Sequence, residues 1–362
     1  MSETTSKTTP ETVVETMAEA PPEAPPKAFV SGCAGLALDV EERALFAAER
    51  PWGLILFGRN IGGADQIRAL VDDFRRAVDD PAAPVLIDQE GGRVQRLRGD
   101  LAPDYPSGSE LGALPPGDAE RAVWLLSRLH AIDLSRLGID VDCLPVADVP
   151  TAEGHAVIGS RAYASDPVRV ADLARAACDG LLAGGVLPVI KHMPGHGRAP
   201  ADSHEELPRV AASREALEAD FAPFRALADM PLGMTAHVVY EALDAERPAT
   251  LSPVVIGEIV RGALGFDGLL MSDDMSMRAL AGPFGERTRA LLAAGCDVAL
   301  HCNGVFEEMR AVAEAAPALA GRSAERSHRA LAMRRSAEAA DEDALRAEFQ
   351  ALTGADVRRR AA

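Results

Sequence analysis

The sequence predicts an α/β fold, a single-domain (β/α)8 barrel of the TIM type, and three observations carry that prediction. Short apolar runs alternate with amphipathic helical stretches, and from Ala28 onward the alternation recurs eight times. Strands separated by helix-length segments build parallel βαβ units, and about eight such units over roughly 250 residues or more close into a barrel. Third, polar residues and glycines collect behind the carboxyl end of each run, which is where parallel strands converge on one mouth.

Taken in order, Met1 to about Lys27 is rich in Pro, Glu, Thr and Ala with almost no large apolar residues. Such a segment buries too little to repay its ordering entropy, so residues 1–27 read as a disordered lead. The predicted strands are Ala28-Phe29-Val30, Gly53 to Phe57, Pro84 to Ile87, Ile139 to Leu144, Val186 to Ile190, Leu232 to Ala236, Gly268 to Ser272, and Val298 to Leu300. Helical periodicity fills the gaps, as in Ala64 to Val78 and Pro167 to Leu182. The segment after Leu101 carries Pro, Gly and Asp and reads as a longer excursion over the mouth. Residues 28–322 form the expected catalytic domain, and 323–362 read as a tail of one or two helices packed outside it.

With 48% hydrophobic residues the chain has ample material for a core, and 4% aromatics with abundant Ala favour helices on a sheet over a β-sandwich. A formal charge of −18 repels polyanions and argues against nucleic acid as a partner. There is no apolar stretch of bilayer length, and Met1-Ser2-Glu3-Thr4-Thr5 lacks the plan of a signal peptide, so the expectation is a cytoplasmic protein without membrane insertion, acting as a monomer. Cys33, Cys143, Cys178, Cys296 and Cys302 are scattered and odd in number, which suits reduced, mostly buried thiols.

Candidate chemistry concentrates behind the fifth run. Lys191-His192-Met193-Pro194-Gly195-His196-Gly197 and Asp202-Ser203-His204 put three histidines, a lysine and an aspartate within fourteen residues, in a chain with 8 His. Asp202 and His204, at i and i+2 in an extended loop, would project the same way and hydrogen-bond each other. A carboxylate on an imidazole fixes its tautomer and raises its basicity, giving a proton carrier near neutral pH. Ser272-Asp273-Asp274 reads either as an N-cap pair or as a carboxylate aimed into the mouth. A free carboxylate with a proton carrier suffices for double displacement at a sugar carbon. His192 and His196 stand four apart, but Pro194 and the glycines forbid the helix a zinc pair would need, and His196 reads as a turn histidine satisfying backbone carbonyls. Lys191 and His192 either donate to sugar hydroxyls or, for the lysine, pair with a barrel carboxylate. The second dense patch, Asp88 to Arg96, sets carboxylates and guanidiniums beside paired glycines, suited to gripping vicinal hydroxyls; it lacks the spacing of a phosphate loop.

Together these stretches, with Ala236-His237-Val238-Val239-Tyr240 and Asp273-Asp274-Met275-Ser276-Met277, resemble family 3 glycoside hydrolases, and within them the single-domain β-N-acetylglucosaminidases of bacterial peptidoglycan recycling. The resemblance spans roughly Phe29 to Glu308. It implies Asp273 as nucleophile, His204 supported by Asp202 as acid/base, and Asp88, Arg96, Arg161, Lys191 and His192 around an N-acetylglucosamine ring. It implies no metal or organic cofactor, and a small sugar or muropeptide as the partner. Met193 stands where the family usually has Phe, implying a softer aromatic wall to the site. Two rivals remain open: a phosphorylase on the same fold, since a neutral base repels phosphate less than a carboxylate does, and a sensor that binds muropeptides without turnover.

Overall fold

A computed structural model describes residues 24–358. Eight parallel strands close a barrel: β1 (Lys27–Ser31), β2 (Pro51–Leu56), β3 (Val85–Ile87), β4 (Val141–Asp142), β5 (Leu187–Met193), β6 (Leu232–Thr235), β7 (Leu269–Asp274) and β8 (Val298–His301). Each strand pairs in parallel with its sequence neighbours, and β8 returns to β1 through Phe29 opposite Ala299 and Ser31 opposite His301. All eight predicted runs are these strands. The first begins at Lys27, one residue before the expected boundary; residues 1–23 of the predicted lead lie outside the described residues.

The alternation of each strand explains the two cores. Val30, Leu86, Val141, Leu187, Val189, Leu232, Met234, Leu269, Met271, Val298 and Leu300 fill the barrel, while their neighbours Phe29, Val85, Ile87, Ile190, Met193 and Leu270 face the helices. Burying one such side chain is worth about 1.5–3 kcal/mol, so a one-residue slip of any strand is strongly opposed. Trp52 closes the amino-terminal end of the barrel, its indole N–H donating to Ser327 Oγ at 2.7 Å.

The crossover helices are α1 (Val40–Glu49), α2 (Ala64–Ala77), α3 (Asp118–Ser135), α4 (Pro167–Ala183), α5 (Arg214–Ala226), α6 (Val255–Ala263), α7 (Phe284–Ala294) and α8 (Phe306–Ala315). Their starts follow local chemistry. Asp39 caps α1 through the Glu42 amide while Glu42 returns to the Asp39 amide at 3.0 Å, and Asp166 caps α4 ahead of Pro167 at its first turn. The α6 segment is wound as a π-helix, a departure from the ordinary crossover helix that periodicity predicts. The tail supplies α9 (Gly321–Ala332), which packs under the amino-terminal end of the barrel with Ala330 joining the interior cluster and Ser327 bonded to Trp52, and α10 (Glu342–Thr353), which packs on the outside against α3. Among the described residues no helix is long and apolar enough to cross a membrane, and all five cysteines are free and buried.

Candidate active site

The period of two that packs the barrel also delivers the polar groups to its mouth. Leu269 and Met271 point inward on β7, and Asp273 follows them on the same face; Leu187 and Val189 are followed by Lys191 on β5. Beyond the inward Leu86 of β3 come Asp88 and Glu90. The result is a cleft of about 340 Å³ at the carboxyl ends of the strands. Asp88, Arg96, Arg161, Lys191, His192, Asp202, His204 and Asp273, every residue predicted for the site, line this one cleft.

One side of it is a closed charge network. Lys191 Nζ lies 3.0 Å from Asp88 and 2.6 Å from Glu90, Arg96 donates to Asp88 at 2.9 Å, and Arg161 grips both Glu90 oxygens at 2.8 Å. Burial alone would raise the pKa of Glu90, but Arg161 and Lys191 carry it down to about 2; Asp88 is likewise held well below the usual carboxylate range by Lys191 and Arg96. Lys191, which burial would discharge, is instead held charged by Asp88 and Glu90. The alternative of a lysine paired with barrel carboxylates is thus realised at a position that also faces the cleft. Gly91 and Gly92, at φ 91° and 57°, turn the hairpin formed by Gln89–Gly91 and Val94–Gln95, and a Cβ on Gly91 would stand 2.4 Å from the Pro106 carbonyl oxygen. Asp148 accepts from the His192 and His196 amides and meets His192 Nδ1 at 2.7 Å, so the Nε2 edge of His192 is left for the cleft.

Asp273 and its neighbour have separate roles. Asp274 is tied down, accepting from the Ser276 amide and hydroxyl and from the Cys302 amide at 3.1 Å. Among the described residues, the hydrogen bond to Asp273 comes from the Asp274 amide at 2.8 Å and no cation is ion-paired with it. Burial pushes its pKa up, yet the fields of His192 and His237 hold it below the usual carboxylate value, so the group stays ionised without being engaged. His237 donates from Nε2 to the Asp274 carbonyl at 3.0 Å and steadies this strand end.

His204 Nδ1 lies 2.7 Å from Asp202 Oδ1, as expected for an acid/base pair, but the connecting backbone is a turn: the same oxygen accepts the His204 amide, and the Asp202 carbonyl accepts the Glu205 and Glu206 amides. The predicted extended loop is corrected, because an aspartate readily accepts its own backbone two residues on. The His204 side chain is 62% exposed at the rim of the cleft. His196 is also corrected: its ring meets the Ser203 hydroxyl at 3.1 Å, not a backbone carbonyl. Met193 faces away from the cleft, its terminal methyl beside Gly233 and Phe266, because the register of β5 shifts between Ile190 and Met193 and the period of two does not carry past Lys191; it is not a wall of the site. Sequence reasoning assigned no separate role to Glu90 or to Arg93, which also lines the cleft, although both lie in the quoted motif, and it missed Asp148. Asp148 lies beyond the end of β4 at Asp142, where neither strand nor helix periodicity marks it. Among the described residues no three His, Cys, Asp or Glu side chains gather as a metal ion would require.

Residues 32–331 match the glycosyl hydrolase family 3 N-terminal domain. The chain belongs to that family and is a glycoside hydrolase on a (β/α)8 barrel. Within the family it stands beside β-hexosaminidases. That of Alkalilimnicola ehrlichii is 44% identical over 280 residues, covering 75% of this chain and 79% of the relative. NagZ from Neisseria gonorrhoeae, solved with N-trifluoroacetyl-D-glucosamine, superposes with a TM-score of 0.77 at 32% identity, covering 92% of this chain and 98% of that one. The family 3 β-N-acetylglucosaminidase of Paenibacillus sp. reaches 0.81 at 29% identity, covering 90% of this chain, which spans 66% of that longer enzyme.

Proposed function

We propose that this protein is a retaining exo-β-N-acetylglucosaminidase that removes terminal β-linked N-acetylglucosamine from muropeptides such as N-acetylglucosaminyl-1,6-anhydro-N-acetylmuramyl-peptides, as part of peptidoglycan recycling. The similarity to β-hexosaminidases supports the sugar. The observation that carries the mechanism is an ionised Asp273, with no ion-pair partner among the described residues, lining the same cleft as the His204–Asp202 pair.

In this reading Asp88, Arg96, Arg161, Lys191 and His192 hold the ring hydroxyls and the acetamide. An Asp273 oxygen attacks the anomeric carbon as the bond to the leaving oxygen breaks, and protonated His204 gives that oxygen its proton from Nε2. Asp202, bonded to Nδ1, fixes the tautomer and stabilises the cationic ring. Neutral His204 then takes a proton from water, whose oxygen attacks the anomeric carbon and frees Asp273. Atoms and charge balance over the two steps.

Asp273→Ala is expected to lower turnover of a nitrophenyl β-N-acetylglucosaminide by about 10⁴-fold or more, and a slow fluorinated substrate should add its glycosyl mass to the peptide containing Asp273 in the wild type. Near-normal turnover in the variant would refute the assignment.

A further inference from the structure

The acid/base turn is tethered to the protein by very little. Among the described residues, the hydrogen bonds that leave segment 200–206 both belong to Ser203: its carbonyl accepts the Ala279 amide at 3.3 Å, and its hydroxyl meets His196 Nε2 at 3.1 Å. The chain just before this segment is, by contrast, pinned. Thr151 N–H donates to the Gly197 carbonyl, His155 N–H to that of Ala199 at 2.8 Å, and a Cβ on Gly197 would collide with the Val149 carbonyl at 1.9 Å. Ser203 is 2% exposed while the His204 side chain next to it is 62% exposed, so the turn buries its serine as it presents its histidine.

What lies beneath Ser203 leads to the sugar-binding half of the cleft. The His196 amide donates to Asp148 Oδ1 at 2.6 Å, the His192 amide donates to the same oxygen at 3.2 Å, and Asp148 Oδ2 meets His192 Nδ1 at 2.7 Å. Asp148 is fully buried and His196 is 3% exposed, so the chain is shielded from water where hydrogen bonds matter most. Burial drives the His196 imidazole down to about 4, which keeps it neutral at pH 7 and able to bond a hydroxyl without carrying charge.

We propose that Ser203 is a positioning residue: through His196 and Asp148 it latches the Asp202–His204 turn to His192, so that the acid/base is held over the cleft when the sugar end is ordered. The inference rests on the reading of His204 as acid/base. A loosened latch leaves Asp273 and the sugar contacts in place and lowers the fraction of time His204 is seated, so its signature is that of a weakened acid.

Ser203→Ala is therefore expected to lower kcat by about tenfold on an alkyl or unactivated phenyl β-N-acetylglucosaminide and less than about threefold on a dinitrophenyl one, with KM within about threefold for both. His196→Leu should behave alike, the double variant should lose no more than either single one, and His196→Gln, which restores a nitrogen near the Nε2 position, should recover most of the loss. Hydrogen exchange of residues 200–206 should be faster in Ser203→Ala than in the wild type, and N-acetylglucosamine should slow it in the wild type alone. Equal losses on both substrates, additive losses in the double variant, or unchanged exchange would overturn the latch. If His204→Ala itself spared neither leaving group, the acid assignment would fail, and the exchange comparison would still decide the latch.

Discussion

Glu90 has the most consequential position among the residues that sequence reasoning left without a role. Its two oxygens compensate Arg161 and Lys191 together, and all three side chains are nearly or wholly removed from water, at 4%, 10% and 2% exposure. A buried ion pair contributes little net stability, but removing one partner strands the others, at a cost of about 3–5 kcal/mol. Glu90→Gln is therefore expected to lower the unfolding free energy by about that amount in urea titrations, and to raise KM because Lys191 and Arg161 shift toward Asp88. A loss under about 1 kcal/mol would mean that the network relaxes freely. The contrast with His204 is instructive, since that side chain is mostly exposed and contributes little packing. His204→Ala should keep wild-type stability while losing about 10²-fold or more on a poor leaving group and far less on an activated one, because protonation matters least where departure is already easy. Equal losses on the two would remove His204 from the acid role.

At the scale of elements, the tail helix α10 reaches the site through one buried arginine. Arg346 donates to Asp133 Oδ1 on α3 at 2.8 Å and to Tyr105 Oη at 3.1 Å, and the Tyr105 hydroxyl donates to Asp133 Oδ2 at 2.6 Å. Tyr105 in turn holds the hairpin that carries Glu90: its amide donates to Gln95 Oε1 at 3.0 Å and its carbonyl accepts the Gly92 amide at 2.9 Å. Arg346→Met leaves Asp133 buried without its cation, and should cost about 3–5 kcal/mol near neutral pH and raise KM several-fold. Burial already raises the Asp133 pKa, so the carboxyl can take up a proton in the variant, and the deficit should shrink at pH 5. A deficit that is the same at pH 5 and pH 8 would show that the charge is not its cause. The sequence shows why such links were hard to read. Strand positions and the inward face of Asp273 follow from a period of two, and the tail helices from periodicity. Asp148 lies in a segment with neither period, the Gln89–Gln95 hairpin has strands too short to alternate, and the partners Arg346 and Tyr105 are 241 residues apart. Local pattern carries no information on such pairings; the fold alone supplies them.

For the whole molecule, two opposed sets of carboxyl groups should shape stability against pH. A net charge of −18 spreads repulsion over the folded chain, and it is relieved as pH falls from 8. Asp220 adds to that rise. Burial lifts its pKa from the usual 3.8 to about 6 despite Arg198, so the folded state takes up a proton that the unfolded chain does not, and stability grows as pH falls through 6. The mouth works in the other direction. Asp88, Glu90, Asp148, Asp202 and Asp273 all have folded pKa values below their ordinary ones, so what they contribute is complete above the unfolded values and is lost as pH falls below them. For Glu90 that window runs from 4.5 down to about 2. The urea midpoint should therefore climb from pH 8 to about 5 and drop steeply below about 4. Asp220→Asn should flatten the climb and leave the drop, whereas Glu90→Gln should lower the plateau and make the drop shallower. A midpoint that falls steadily from pH 8 downward, with the same shape in both variants, would mean that these groups do not govern the balance between surface repulsion and the buried charges of the mouth.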